Sequence, residues 1–488
     1  MLALDVIVPR SAPRNWQAVI IRRLEDDGHD VAIHHQPDTP RWPGTADALL
    51  ALERRAFRGT LPALAARCGE IAPRPAARPP RLRLDLTGSA PASQTPTLAL
   101  RFDGSAFDFA TATAVAAGRL PEIEAVLDGK TVAGRARPMI DRRFSTALGL
   151  EDVLARAATL AVATVRAFAE GRLEDMGTPS GAEASTGFSA AWLTRALPRL
   201  GSEIARRARF RHAHWNVGYR FLDGPGVADI GRLGSGWTVL TAPEGRFYAD
   251  PFPFEWRGRA FLFVEDYVHA AGKAAISVVP LDAAGRPLPP RPVLEEPWHL
   301  SYPQVFARDG AIWMLPEASA SGRLTLYRAT DFPDRWHPAA VLLEGEISDA
   351  TLIDHGGRLW LLATVRDSFG STSDTLAVFH AEALAGPWRP HPLNPVLIDR
   401  RMARPGGAFL RDRAGRILLP MQDGTTGYGG GLGLCELLAL DGKTVRLSEP
   451  RLIDPAGDWP HPRIHTLNRA GRLEVIDGIA AASRWSAR

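Results

Sequence analysis

The stretch Phe247–Asp266, FYADPFPFEWRGRAFLFVED, decides the fold. An acidic residue, Asp250, precedes a short alternating run. Arg257-Gly258-Arg259 makes a turn, and an apolar run follows that ends in Glu265-Asp266. The pattern returns as SYPQVFARDGAIWMLPE at Ser301–Glu317 and as SDATLIDHGGRLWLLAT at Ser348–Thr364. It returns again as RPGGAFLRDRAGRILLP at Arg404–Pro420 and as RIHTLNRAGRLEVID at Arg463–Asp477. Each copy has a polar or Gly/Pro-bearing lead, a short apolar strand, a Gly-containing turn and a second apolar strand, which is the signature of a hairpin. The copies start roughly 45–60 residues apart, the scale of one four-stranded propeller blade.

One blade cannot bury both its faces. Stacking blades around an axis buries them against each other. The first strand of each blade then lines a central channel. The residues leading the five inner strands, Asp250, Tyr302, Asp349, Arg404 and His465, are therefore expected around one axis. The predicted architecture from 211 to 488 is an all-β five-bladed propeller.

The rest of the chain reads differently. Of 488 residues, 45% are hydrophobic and 23% charged, enough apolar material for two or three domains. Leu2–Val8 reads as a buried strand, Trp16–Asp27 as a helix with Gly28 as its C-cap, and His29–His34 as a second strand. Helices are expected at Ala46–Phe57, Asp108–Gly118 and Leu150–Glu170, and strands at Leu82–Thr87 and Thr97–Phe102. This strand–helix–strand order predicts an α/β domain with a parallel sheet over residues 1–175. The turn Pro9–Arg14 has no G-x-G-x-x-G, so a dinucleotide cradle has no support.

Residues 176–210 read as a linker and a basic helix. Leu173–Gly187 contains GTPSGAEASTG, and Ala190–Arg209 carries Arg195, Arg199, Arg206, Arg207 and Arg209. Such a helix packs its apolar face on a neighbouring domain or lies on an anionic membrane as a peripheral contact.

The net charge of +4 and the lack of any RNA- or DNA-binding motif exclude nucleic acid as the expected partner. Two cysteines, Cys68 and Cys435, make neither a disulfide framework nor a metal pattern. Met1–Pro9 lacks the cationic lead and cleavage site of a secretion signal, and no stretch approaches the eighteen or so apolar residues of a membrane span. A cytoplasmic location is the expectation. No cofactor motif is present, and composition leaves the oligomeric state open.

Two family resemblances add to this. The first part resembles, loosely, the N-terminal domain of formyltransferases, through its α/β order and through LDLTG at Leu84–Gly88, where that family has a strand followed by a loop. The family's H-x-S-L-L-P loop is missing, and no histidine follows His35 until His212. A degenerate, non-catalytic docking domain is therefore expected.

The propeller resembles the five-bladed domain of glycoside hydrolase family 43, the levansucrases and the invertases. The carriers are YADPF at Tyr248–Phe252, YPQVF at Tyr302–Phe306, SDATL at Ser348–Leu352 and GPWRPHPLNPV at Gly386–Val396. YADPF, VED, LPE, SDAT and RPGG together are closer still to the N-terminal propeller of plant glucosamine inositolphosphorylceramide transferases. The resemblance implies a saccharide or glycolipid ligand, with Asp250 as general base and Asp349 as the residue that tunes the acid. An inverting glycosidase needs two carboxyl groups about 6.5–9.5 Å apart, leaving room for a water.

The family's acid sits in an E-G-P motif where this chain has Arg404-Pro405-Gly406. A guanidinium cannot protonate a leaving group. Glu317, in LPEAS, is the substitute acid, with Glu265 and Asp266 behind it. Arg404 becomes a candidate for binding an anionic or hydroxyl-rich ligand. Trp298, in EPWHLSYP, is the candidate for stacking on a sugar ring, with Tyr302 and Glu265 as further ligand contacts. Trp313 and Trp360 read as core, and Tyr428, in the Gly-rich stretch Asp423–Gly433, as a channel rim.

His465 is placed by the resemblance near a structural cation in the channel. A hydrogen-bonded structural histidine is the other reading. An Asp at a strand start is also an ordinary cap; its recurrence at Asp250 and Asp349 favours a channel role. A carbohydrate-active site is the leading expectation, and a non-catalytic saccharide-binding or scaffold module for glycan assembly is the alternative.

Overall fold

A computed structural model describes residues 1–37, 39–57, 63–182, 187–210 and 214–479. The chain divides into two compact units. One is Met1–Arg206 with Asp367–Ser371; the other is Arg207–Arg366 with Thr372–Arg488.

The described residues of the first unit form one six-stranded sheet with helices. The strands are β1 (Ala3–Pro9), β2 (Asp30–Gln36), β3 (Leu82–Asp85), β4 (Thr97–Phe102), β5 (Ile123–Leu127) and β6 (Thr131–Ala136). The order is β2-β1-β3-β4-β5-β6. Only β2, β1, β3 and β4 run parallel; β5 and β6 add to the β4 edge as an antiparallel hairpin. The sheet is therefore mixed, which corrects the all-parallel expectation. The missed hairpin turns at Asp128-Gly129, both with positive φ (51° and 68°). Asp-Gly is the pair that such a turn favours, because its twist matches the strands and glycine carries no Cβ to clash.

The helices are α1 (Asn15–Asp26), α2 (Gly44–Ala56), α3 (Phe109–Ala116) and α4 (Thr146–Ala169). Helix α4 starts one turn earlier than its apolar pattern suggests, because the Ser145 hydroxyl accepts from Leu148 N and caps it. The cleft at the ends of β1 and β3, beside Arg14, Trp42, Thr87 and Asp108, has a volume of only about 30 Å³, on the scale of one water.

The expected linker is bonded to the sheet in part: Met176 N donates to Val132 O, and Ser180 N to the Glu124 carboxylate. Its residues 183–186 lie outside the described residues. Helical backbone runs from Phe188 to Arg209, with a π-turn at Trp192–Ala196, and none of Leu197–Arg209 is buried. No described helix is long and apolar enough to cross a membrane.

The second unit is a five-bladed propeller over its described residues. The first blade is Arg246–Trp256, Arg259–Val268, Lys273–Pro280 and Arg291–Leu294. The second is Ser301–Arg308, Ala311–Glu317, Arg323–Asp331 and Arg335–Glu344. The third begins with Glu346–His355 and Arg358–Arg366, and the fourth with Leu410–Arg411 and Ile417–Gln422. The fifth joins distant segments: Thr466–Ala470 and Leu473–Ile479 pair onward to Trp215–Phe221 and Thr238–Leu240. This splice closes the ring with hydrogen bonds and removes the edge strands that an open array would expose.

An apolar cluster fills each gap between neighbouring blades. Phe263, Ile276, Val305 and Met314 lie between the first and second, and Leu324, Leu326, Leu359 and Leu361 between the second and third. Trp360, Leu362, Leu419 and Met421 follow, then Leu418, Leu434, Leu467 and Ile476. Val217, Val475, Leu262 and Val264 join the fifth blade to the first. Trp360 and Trp313 sit in this packing as the sequence suggests. The GPWRPHPLNPV stretch forms the outer edge of the third blade, where the Asn394 side chain bonds both ways to Val378.

Candidate functional site

Three inner strands break their ladder at the same place. The register skips between Ala249 and Phe252, between Ser301 and Gln304, and between Ser348 and Thr351. The residue at each skip, Asp250, Tyr302 or Asp349, has φ of 46–50°. Left-handed backbone at three non-glycine residues is unusual, and such strain persists where the surroundings hold it. These bulges turn side chains toward the axis.

The residue just before each skip faces one on the second strand: Ala249 faces Glu265, Ser301 faces Glu317, and Ser348 faces Thr364. In the fourth blade Gln422 N donates to Arg404 O, and in the fifth His465 N donates to Asp477 O. Arg404, opposite Gln422, is thus the equivalent of Ala249, Ser301 and Ser348, one residue earlier than Asp250 and Asp349; in the fifth blade Thr466 pairs with Asp477 and His465 precedes it. The expected alignment of the leads is corrected by one residue in the fourth blade. Proline and glycine after Arg404 conceal the register in sequence, because spacing alone does not mark a bulge.

Ala249, Ser301, Ser348, Arg404 and His465 all line one pocket of about 380 Å³ at the axis. Asp250, Glu265 and Glu317 line it too, with aromatic walls from Trp215, Phe247, Tyr267 and Tyr428. Sequence reasoning missed Trp215 and Tyr267. Trp215 enters only through the splice of the fifth blade, and Tyr267 follows VED on a strand whose facing follows from the bulge. Tyr428 stands at the pocket as the rim expectation has it. Its hydroxyl is 3.3 Å from His465 Nε2, and the Arg404 guanidinium lies 5.3 Å from its ring.

Asp250 is tied down on both sides. Its N–H donates to Asp477 Oδ2 (2.9 Å), and its Oδ2 accepts from Tyr302 N (3.2 Å). Burial, then the charges of Asp477 and Glu265, push its carboxyl well above the usual range. Burial also lifts Asp477, to about 6. Glu317 accepts from the Ser301 hydroxyl and from Ser319 N, each at 3.1 Å.

Arg404 is not a free ligand arm. Its Nε and Nη2 grip the two Asp349 oxygens at 2.7 and 3.2 Å, and Nη1 reaches Thr372 and Ser373. Gln422 Nε2 adds a bond to Asp349 Oδ2 at 2.7 Å. Burial works against the Arg404 charge, but Asp349, Tyr428 and Glu317 together hold the guanidinium well above its ordinary value. Burial also lifts Asp349 despite the guanidinium; the two-pronged geometry is that of an ion pair. The fork that suits a ligand carboxylate is already filled by a protein one.

Two further expected ligand residues lie elsewhere. Trp298 packs with the cluster between the first two blades and does not line the pocket. Tyr302 is fully buried; its hydroxyl is 2.8 Å from Thr351 Oγ1 and accepts from Gly407 N at 2.7 Å, so it ties three blades together. Among the described residues no three His, Cys, Asp or Glu side chains converge to hold a metal. His465 Nε2 stands 3.8 Å from Asp250 Oδ1, and burial, reinforced by Arg404, drives its pKa down to about 3. His465 is thus a neutral wall of the site.

Fold and site together define a five-bladed propeller with an acidic, aromatic-walled axial pocket. Within it, residues 238–447 match the family model described as glucosamine inositolphosphorylceramide transferase 1, N-terminal. The chain is 31% identical over 238 residues to the glucosamine inositolphosphorylceramide transferase 1 of Arabidopsis thaliana, covering 44% of this chain and 31% of that protein. It is 33% identical over 268 residues to the Oryza sativa subsp. japonica protein of the same name, covering 51% and 36%. The chain thus spans about a third of these relatives' length.

Among solved structures it is similar to the GH43_1 enzyme from Xanthomonas citri, with TM-score 0.35, 16% identity, and 50% and 90% of the two chains covered. It is also similar to an alpha-L-arabinanase from Cellvibrio cellulosa, with TM-score 0.33, 19% identity, and 41% and 77% covered. The five-blade architecture rests on the chain's own strand pairing.

Proposed function

We propose that the propeller holds a saccharide, free or as the headgroup of a glycolipid, in its axial pocket. The observation that carries this is the meeting of three carboxyl groups and an aromatic wall in one pocket. Sugar hydroxyls donate to carboxylates, and the apolar faces of sugar rings lie on aromatic side chains. The relatives' printed name, glucosamine inositolphosphorylceramide transferase 1, contains a sugar and a lipid, which supports the same class of ligand. For a lipid-borne sugar, the exposed Leu193, Leu197 and Ile204 beside Arg195 and Arg206 support a peripheral contact with the membrane.

We extend the proposal to hydrolysis or transfer at a glycosidic bond. Asp250 activates the nucleophile, Glu317 protonates the leaving oxygen, and Asp349 tunes the site from beneath Arg404. Because burial and neighbouring carboxylates raise Asp250, it serves as a base only after losing its proton, so activity rises with pH through that titration. One observation favours the non-catalytic alternative: the position where the resembling hydrolases carry their acid is an arginine closed on Asp349.

Turnover of aryl glycosides, oligosaccharides and glycolipids, measured beside binding, separates the two. Asp250→Asn and Glu317→Gln are each expected to lose roughly 100- to 10,000-fold in rate. The Glu317 variant should lose less on aryl glycosides, whose leaving groups need little protonation. Binding without turnover of any substrate would leave the binding module standing and remove the enzyme.

For the first unit we retain a formyltransferase-like docking role without catalysis. The β3 strand followed by a loop at Leu84–Gly88 supports the likeness, and the narrow cleft there supports the lack of chemistry.

A further inference from the structure

The first unit is discontinuous in sequence. It includes Asp367–Ser371, the stretch that follows the third-blade strand Arg358–Arg366 and precedes Thr375–Ala381. Helix α4 carries Arg156 and Thr159 three residues apart, so both project from one face. The Arg156 side chain is fully buried; its Nη1 donates to Asp367 Oδ1 at 2.8 Å and its Nη2 to Ser371 O at 2.6 Å. Thr159 Oγ1 donates to Asp367 Oδ2 at 2.6 Å. Arg23 of α1 reaches the same Oδ2 at 2.7 Å and Asp367 O at 2.6 Å, and the Ser371 hydroxyl donates to Asp141 Oδ1 at 2.8 Å. Burial works against the Asp367 charge, yet Arg156 and Arg23 hold its carboxyl below the ordinary value.

The shape of this stretch is imposed on it. Ser368 and Gly370 have φ of 73° and 74°, and a non-glycine residue keeps such left-handed backbone where its surroundings hold it. Gly370 lies so close to α4 that a Cβ there would stand 3.0 Å from Ala155 Cβ and 3.1 Å from Arg156 Cζ. The residue after Ser371 is Thr372, which lines the axial pocket. Thr372 O, Thr372 Oγ1 and the Ser373 hydroxyl accept from Arg404 Nη1 at 3.2, 3.4 and 3.3 Å, while the other guanidinium nitrogens grip Asp349. One buried arginine thus holds the chain up to Ser371, and the chain from Thr372 onward holds another. The peptide unit between them is rigid, so a displacement of Ser371 is passed to Thr372.

We propose that the first unit is a positioning element for the axial pocket, with Arg156 as its positioning residue: the grip on Asp367–Ser371 sets Thr372 and Ser373, and these set the Arg404 guanidinium on Asp349. The proposal rests on the docking role retained above, to which it gives a partner within this chain, and it is independent of the saccharide reading. Once Asp367–Ser371 is released, Thr372 and Ser373 no longer fix Nη1, and Arg404 keeps only its bonds to Asp349. Coupling of this kind runs through a connected set of hydrogen bonds and falls off outside it. It reaches the fourth blade at Gln422, whose N–H donates to Arg404 O. The first-blade hairpin, Arg246–Val268, lies outside the route.

Hydrogen–deuterium exchange, read by mass spectrometry on the full chain without ligand, tests this. Arg156→Met removes the fork and keeps its apolar stem. Gly370→Ala pushes the loop off α4 and leaves every anchoring side chain in place. In both variants, peptides covering 367–371, 372–375 and 417–424 are expected to exchange about tenfold faster or more, and the hairpin 246–268 less than about twofold faster. Adding Arg156→Met to Arg404→Met should speed 417–424 no further, because the route through Arg404 is already cut. Faster exchange at 367–371 without 372–375 and 417–424, in either variant, overturns the positioning role and leaves the docking role. Unchanged exchange at 367–371 overturns both. Acceleration spread evenly over all blades, or a further gain in the double variant, overturns the route through Arg404. Where Arg156→Met does not fold, Gly370→Ala decides.

Discussion

Replacing Arg404 by methionine keeps much of the buried stem but removes the cation that faces Asp349. Both partners are buried, at 8% and 1% side-chain exposure, and the pair is bidentate. Without the guanidinium, Asp349 keeps only the Gln422 amide as a side-chain donor, and the Thr372 and Ser373 oxygens lose theirs. Breaking a buried pair by removing one partner costs about 3–5 kcal/mol, since the remaining charge is left uncompensated. At about 2–4 °C per kcal/mol for a domain of this size, the propeller's transition should fall by roughly 6–20 °C.

The pH dependence has a definite sign. Removing the cation raises the folded-state pKa of Asp349. Stability from its protonation is full below the unfolded value of about 3.8 and is lost as pH rises through the folded one. The deficit relative to the unaltered protein should therefore be smaller at pH 5 than at pH 8. Thermal unfolding followed by near-UV circular dichroism at both pH values measures it. The double variant Arg404→Met/Asp349→Asn should recover most of the loss, because no buried charge is left alone. A deficit under about 1 kcal/mol, or one that does not change with pH, would refute the assignment of Arg404 as the Asp349 counter-ion and return it to ligand binding.

Two further outcomes follow from the same geometry. Glu265→Gln removes a carboxyl raised by burial, by Asp477 and by Glu317; below about pH 4.5 the two proteins should be alike, and the variant should gain stability as pH rises, read as a melting-temperature difference between pH 5 and pH 8. Tyr302→Phe strips the hydroxyl that meets Thr351 and accepts from Gly407 N, leaving a buried N–H unpaired. Chemical denaturation should show a loss of about 1–3 kcal/mol, and an unchanged midpoint would mean that the three-blade tie contributes nothing.

The sequence by itself determined the repeat. Hairpins with Gly turns at regular spacing are local, and each copy writes its own strand–turn–strand in period-two apolar runs. It also brought Asp250, Glu265 and Glu317 into one candidate set, because positions repeated along the chain become neighbours around an axis. Trp313 and Trp360 were legible as core for the same reason.

What the chain could not show locally was set by tertiary pairing. The fifth blade takes Trp215–Phe221 from far upstream, and with it the pocket wall Trp215. The bulge offset decides which side chain points inward, and a one-residue slip moves a side chain to the other face. Arg404 is therefore equivalent to Ala249 rather than Asp250, and it closes on Asp349 instead of waiting for a ligand. Trp298 and Tyr302, aromatic and next to an inner strand, looked like sugar contacts. Burial between blades took one, and hydrogen bonds across the axis took the other, because three-dimensional neighbours and not sequence neighbours set how much of a side chain meets solvent.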